Sequence, residues 1–239
     1  MNSTKKRKYW GMVVPSPARV IQNTAQRAES QGYEGVFSPQ IWGPPFTSLA
    51  VAAAHTEQLK IGSGIAIAAA RSPFETAMTA LDLDRISNGR FILGLGSSVN
   101  AITKGFYGAP DIKPIAHLRE TVQAIRHIIA GAHKKLAPFE GDYYSADFAL
   151  LEPITPPVRE QIPIWIGALR GGLIKLGAEI ADGITGHPIW SVEWVVNQVQ
   201  KDLEVGLKQA GRKREDLELN LWFNCAPSSD EREAVEDAK

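Results

Sequence analysis

Four apolar runs constrain this chain more than any other feature: "YEGVFS" (33–38), "LKIGSGIAI" (59–67), "RFILGLG" (90–96) and "IPIWIGA" (162–168). They are nearly continuous rather than alternating, and each reads as a strand buried on both faces, the pattern of parallel sheets covered by helices. "YWGMVV" (9–14), "ITGHP" (184–188) and "LELNLWFN" (217–224) complete a series of strands. Helical segments fall between them. After "PSP", Val20, Ile21, Thr24, Ala25 and Ala28 share one face before Gly32 stops the turn. An alanine-rich helix is expected over 46–58. A third covers 72–87, with Ser72 as cap, Pro73 at the first helical position and "NG" at 88–89 ending it. Leu118, Val122, Ile125 and Ile129 form the core stripe of a helix over 115–131, and further helices are expected over 174–183 and 192–211.

Strands alternating with helices leave two architectures, an open doubly wound sheet or a (β/α)8 barrel. The doubly wound dinucleotide fold would carry G-x-G-x-x-G at its first strand-to-helix turn, and that turn here reads "VVPSPARV". The barrel is therefore favoured, and 239 residues suit one such domain. The sequence stops as a seventh helix begins, in "LWFNCAPSSDEREAVEDAK". The expected fold is thus α/β of the (β/α)8 TIM-barrel type, a single domain over 1–239 lacking the last strand–helix unit. Because an unclosed barrel exposes strand edges, the expectation is either that the chain is truncated or that another chain or a rearranged segment covers the gap. Residues 132–161 are too long for a plain connection, and "GDYYSADFALL" within them is expected to pair as a small hairpin over the barrel mouth.

Composition narrows the chemistry. Lys plus Arg and Asp plus Glu both number 26, so no net field recruits nucleic acid or an anionic membrane. The single cysteine, Cys225, cannot form an internal disulfide, no apolar stretch of signal-peptide length follows the basic start, and no run is long enough to span a membrane. The expectation is a cytoplasmic protein. The five histidines are scattered, which argues against a zinc site; no strand ends on a Schiff-base lysine; G-x-S-x-G is absent; and "GALRGGLIKLG" lacks the Lys-Ser/Thr ending of a P-loop. No metal is expected.

Barrel chemistry sits where strands end. The polar and aromatic residues there are Ser38, Gln40, Trp42, Ser97, Ser98, Asn100, Arg170, Thr185 and His187. Gly171 and Gly172, beside Arg170, stand at a helix start whose N–H groups suit an anion; the same pair also suits a turn that merely lets a helix pack. The third strand gives up bulk at its end, in Ala66, Ala68, Ala69 and Ala70, as though to leave room. A mostly apolar mouth without an evident acid, base or metal points to chemistry carried by a bound cofactor.

"GYEGVFSPQ", "HTEQLKIGSGIAI", "ALDLDRISNGRFILGLGSS" and "AEIADGITGHP", in this order, resemble the luciferase-like oxidoreductases, the group that includes bacterial luciferase and coenzyme F420-dependent reductases. "AAARSP", "VNAITKGFYG" and "KPIAHLRETV" are similar to an F420-associated branch. The resemblance implies hydride transfer between a deazaflavin, F420, and a small organic substrate, with FMN as second cofactor choice. Alternatives are an FMN-dependent monooxygenase and a non-catalytic flavin-binding protein. It further implies that the ring rests on a bulge with a non-proline cis peptide at Gly64–Ile65, beside Ser63, and that the alanines leave room for it. By the same resemblance Ser97 and Ser98 lie along the cofactor tail, and Ala168, Leu169, Gly171 and Gly172 bind its phosphate. Gln40 and His187 line the mouth as candidate catalytic residues. Relatives often carry an acid–histidine pair after the second strand, where this chain has Pro39, Gln40 and Ile41. The expected partners are a small-molecule substrate and a second copy of the chain.

Overall fold

The computed structural model describes residues 7–41, 43–223, 225–226 and 228–237. Trp42 and Asn224 lie outside the described residues. Strands β1 (Trp10–Met12), β2 (Gly35–Ser38), β3 (Lys60–Ser63), β4 (Ala66–Ile67) and β5 (Phe91–Gly96) alternate with helices α1 (Ala18–Ser30), α2 (Phe46–Ala54) and α3 (Pro73–Ile86). Helices α4 (Asn100–Tyr107) and α5 (Pro114–Gly131) follow, then the short strands β6 (Phe139–Glu140) and β7 (Ser145–Ala146). The series resumes with β8 (Ile164–Ala168), α6 (Gly171–Ile180), β9 (Gly183–Gly186), α7 (Val192–Trp194), α8 (Gln200–Gln209), β10 (Glu218–Asn220) and α9 (Glu231–Asp237). One π-helical turn, Val195–Val199, joins α7 to α8, and a 3-10 turn, Ala68–Ala70, follows β4.

The main sheet is parallel throughout, in the order β1-β2-β3-β5-β8-β9-β10, with β4 continuing beside β5 where β3 leaves off. The expected third strand over 59–67 is therefore two strands separated at Gly64–Ile65. Among the described residues β1 and β10 are the end strands, so the sheet is a curled, open half-barrel rather than a closed (β/α)8 ring. The curl is deep. Trp10 of β1 lies 5.6 Å from the ring of Trp165 in β8, and Lys8 reaches Glu218 of β10 at 3.1 Å.

Residues facing the helices supply the large core: Val36, Ile61, Leu93, Leu95, Ile164 and Ile166 meet Leu49, Ala77, Leu81, Leu118 and Ile125. The concave face is packed differently. It holds Trp10, Phe37, Ile92, Trp165 and Trp222, and bulky residues lean over glycines of the following strand. Trp10 covers Gly35, Phe37 covers Gly62 and Trp165 covers Gly183; a β-carbon would stand 2.7 Å from Phe37 Cε1 at Gly62 and 2.5 Å from Trp165 Nε1 at Gly183. Such large-on-small pairing lets rings fill a narrow interior at close-packed density.

Local signals hold where they depend on few residues. Ser72 Oγ accepts from Glu75 N at 3.1 Å with Pro73 behind it, and Asn88 and Gly89 both take positive φ in the turn after α3. The "DLDRISNGR" stretch is structural. Asp84, 1% exposed, receives Arg159 Nε at 2.9 Å, and Arg90 donates to Ala53 O, Thr56 O and Leu59 O, tying the end of α2 to β3.

The hairpin forms, as β6 against β7, but it lies along α5. Glu120 accepts from the backbone of Asp142, Tyr143 and Tyr144, and Phe148 stacks on Phe74 of α3. None of residues 132–161 lines the mouth cavity, so this segment is not a cover for it. No helix among the described residues is long and apolar enough to cross a membrane.

Candidate functional site

A cavity of about 610 Å³ opens at the C-terminal ends of the parallel strands. Its floor begins at Ile65. The bend between β3 and β4 turns this side chain inward, over glycines of the next two strands. A β-carbon at Gly96 would lie 2.7 Å from Ile65 Cδ1, and one at Gly167 would lie 2.9 Å from Ile65 Cγ2. Ile65, Gly96 and Gly167 thus make one low apolar platform. Ile67, Val99, Ile102, Leu169, Leu173 and Trp222 form the sides. The Gly64–Ile65 peptide is cis, at the position that the family resemblance implied.

Gln40 fixes this bend. Its Oε1 accepts from Ile67 N at 3.0 Å and from an Arg71 guanidinium nitrogen at 3.3 Å, its Nε2 donates to Tyr107 Oη at 2.7 Å, and its backbone N donates to Ile65 O at 3.3 Å. An amide tied at both ends holds the wall in place and has no proton to exchange. Gln40 is on the cavity wall as expected, but in a positioning role. Its partners Arg71 and Tyr107 stand in "AAARSP" and "VNAITKGFYG", and the sequence does not show that they meet Gln40. Burial lowers the pKa of the Arg71 guanidinium, with Tyr107 and Glu75 opposing, and the group also lies 5.0 Å over the Phe46 ring.

Past β5, Ser98 adopts φ 57°, a left-handed turn that brings Val99 and Ile102 to the wall. Ser97 and Ser98 both line the cavity; the Ser97 hydroxyl donates to Ser98 O at 3.3 Å. Ala168, Leu169 and Arg170 line it where β8 ends. Thr185 and Gly186 at the end of β9, and His187 just after it, also line the cavity. The His187 loop is anchored by Trp190, whose Nε1 donates to Leu169 O at 2.9 Å. His187 Nδ1 accepts from Ile189 N at 3.3 Å, which places the proton of the neutral ring on Nε2.

Three expected contacts fall elsewhere. Ser63 is fully buried behind the wall, where Oγ donates to Gly94 O at 2.8 Å and accepts from Gly94 N at 2.9 Å; it clamps β3 to β5. Gly171 and Gly172 begin α6 beside the cavity without lining it. Their missing side chains admit neighbours: a β-carbon would stand 2.6 Å from Asp202 Oδ2 at Gly171 and 2.6 Å from Ile115 Cδ1 at Gly172. The alanines do not make the room either. Ala66 and Ala68 are buried away from the cavity and the chain winds into the 3-10 turn, so the space comes from Gly96 and Gly167.

Chemically, the wall is apolar with one cation, Arg170, at its exposed rim, and among its lining residues there is no Asp, Glu or Lys. The helix starts of α4, α5 and α6 border it through Val99, Pro114 and Arg170, adding positive partial charge. Such a surface suits a flat apolar ring carrying an anionic tail. Among the described residues no group of three or more His, Cys, Asp or Glu could hold a metal ion.

A family model described as luciferase-like monooxygenase matches residues 5–239. A Mycobacterium tuberculosis protein named as a coenzyme F420-dependent oxidoreductase is 35% identical over 225 residues, 88% of this chain and 62% of that protein. A 5,10-methylenetetrahydromethanopterin reductase of Methanolobus tindarius is 29% identical over 212 residues, 87% of this chain and 62% of the relative. The chain thus spans less than two thirds of these curated relatives. Among solved structures, the coenzyme F420-dependent tetrahydromethanopterin reductase of Methanopyrus kandleri superposes with a TM-score of 0.83 at 24% identity, over 97% of this chain and 70% of that one. A monooxygenase of Streptomyces bottropensis superposes with a TM-score of 0.80 at 21% identity, over 97% and 75% respectively.

Proposed function

Because the chain belongs to the luciferase-like monooxygenase family, we propose that it is an oxidoreductase binding F420 in the mouth cavity and passing hydride between that cofactor and a small organic substrate. The observation that carries this reading is the platform of Ile65 over Gly96 and Gly167, walled by apolar side chains, with Arg170 as the charged residue among those that line it. The F420-dependent name of the Mycobacterium tuberculosis relative supports the deazaflavin over FMN.

The fit sorts the residues into roles. Ile65, Gly64, Gly96 and Gly167 would carry one face of the ring. Ser97, Ser98, Ala168, Leu169 and Arg170 would hold the tail, with the first N–H groups of α6, at Gly171 and Gly172, facing its phosphate. Ser63 and Gln40 hold the platform's shape from behind and beside it. When bound, F420 supplies hydride donation and acceptance at C5 of its ring. The chain's own part is position and exclusion of water: the apolar sides keep the reacting face dry, and His187 Nε2–H is a donor available to a substrate oxygen at the mouth.

Titration of the purified protein with F420 and with FMN tests the reading, followed by turnover of aldehydes, alcohols, imines and enones with the cofactor that binds. Tight FMN binding without F420 affinity overturns the cofactor, and oxygen uptake with reduced FMN then identifies a monooxygenase. Stoichiometric binding without any turnover identifies a non-catalytic carrier.

A further inference from the structure

Thr185 is a buried wall residue whose hydroxyl no other described residue engages. It faces the cavity from β9, is 5% exposed, and its Oγ1 has no hydrogen-bond partner among the described residues. Of the other polar side chains that line the cavity, Gln40 is tied at both ends and Ser97 donates to Ser98 O, while Ser98 is only half-buried and Arg170 and His187 are exposed, within reach of solvent. Ser38 Oγ is buried and unpartnered too, but does not line the cavity. A buried hydroxyl left unpaired is costly and calls for a partner that arrives from outside the fold. Its location says which part of a ligand that partner is. Thr185 is the register neighbour of Gly167, so it stands one strand beyond the platform and at its level. The spacing between strands is about 4.8 Å, within which a ring resting on Ile65 and Gly167 presents its edge to the hydroxyl. Asn220, the register neighbour on the other side, also has an unpartnered buried atom, Oδ1, but borders a separate cavity at the opposite strand ends.

We infer that Thr185 is a cofactor-binding residue whose hydroxyl donates a hydrogen bond to a carbonyl oxygen on the edge of the ring. This rests on the functional reading above, and it adds a polar, edge-reading contact to a site otherwise defined by apolar faces. No bond is made or broken at Thr185.

The test compares Thr185→Val, which keeps the shape and removes the hydroxyl, with Thr185→Ser, which restores it. Each is titrated with F420 and with FMN, and the melting temperature of the cofactor-free protein is recorded alongside. The expected result is about a tenfold loss of affinity in Thr185→Val, about 1.4 kcal/mol, with Thr185→Ser close to the parent and the cofactor-free Thr185→Val melting no lower than the parent. Equal affinity in parent and Thr185→Val overturns the assignment while leaving the functional reading intact. A lower melting temperature in cofactor-free Thr185→Val also overturns it, since the hydroxyl then has a partner within the fold. If the parent binds neither F420 nor FMN, the functional reading fails and this assignment falls with it.

Discussion

Replacing Gly96 with alanine tests the platform directly. The backbone there is ordinary strand, so alanine is conformationally allowed, and the stiffer chain returns about 0.4–1 kcal/mol through the unfolded state. Against this, the new β-carbon would meet Ile65 Cδ1 at 2.7 Å and Cγ1 at 2.9 Å, well inside ordinary contact, while Ile65 Cβ at 3.7 Å is unaffected. Ile65 is β-branched, stiff at χ1, and packed over Gly167 as well, so it has little room to swing away. Overpacking of this kind costs about 1–3 kcal/mol, which leaves a net loss of about 0.5–2 kcal/mol. In a protein of this size that lowers Tm by about 1–8 °C. The informative comparison is with Ile65→Ala, which removes three half-buried carbons at a cost of about 1 kcal/mol. In the double variant the clash is gone, so Gly96→Ala becomes neutral or stabilising and the cycle closes with a coupling of at least about 1 kcal/mol. Urea unfolding followed by far-UV circular dichroism reads all four proteins. Additivity within about 0.5 kcal/mol would show that Ile65 does not rest on Gly96, and the platform would lose its basis.

Two other outcomes follow from the surrounding structure. Asp84→Ala should cost about 3 kcal/mol, because it strands the Arg159 guanidinium against a buried carbonyl, and it should make residues 132–161 more open to limited proteolysis; a loss below about 1 kcal/mol would mean the pair is not holding that segment. Burial pushes the His117 imidazole below its usual value of 6.5, with Glu120 opposing, so folding favours the neutral ring. Its contribution is complete above pH 6.5 and is lost as pH falls through the lowered folded value. The parent should therefore lose more stability than His117→Gln when urea midpoints are compared at about pH 7.5 and about pH 5.5, and parallel losses would contradict this.

What could be read from the sequence was set by range. Parallel strands, their covering helices and the caps at Ser72 and Asn88–Gly89 depend on residues close in the chain, and the structure has them nearly where expected. The cavity depends on which strand follows which. In "SGIAIAAARSP" the alanines are the small residues in view, so the sequence points to them as the source of room; the vacancies that matter are Gly96 and Gly167, on other strands, and the sequence does not reveal that Ile65 reaches them. Ser63 belongs to the same motif, yet its hydroxyl turns toward β5. Gln40 is visible as a polar residue at a strand end, whereas its partners Arg71 and Tyr107 stand in "AAARSP" and "VNAITKGFYG", segments that the resemblance marks without revealing that the fold brings them to Gln40. The conspicuous "DLDRISNGR" run gave the opposite lesson: its charges brace the fold and leave the cavity alone.

Four of the concave-face residues lean in one direction, Trp10 to Gly35, Phe37 to Gly62, Ile65 to Gly96 and Trp165 to Gly183, each toward a later strand. Like overlapping tiles, each one fixes the height of its successor. A ligand pocket lined this way cannot be deepened or made shallower at one point: any change of size on a strand must be answered by the glycine ahead of it. New specificities in this scaffold are therefore to be sought in pairs of substitutions on adjacent strands, since enlarging one glycine-facing position alone carries the overpacking cost.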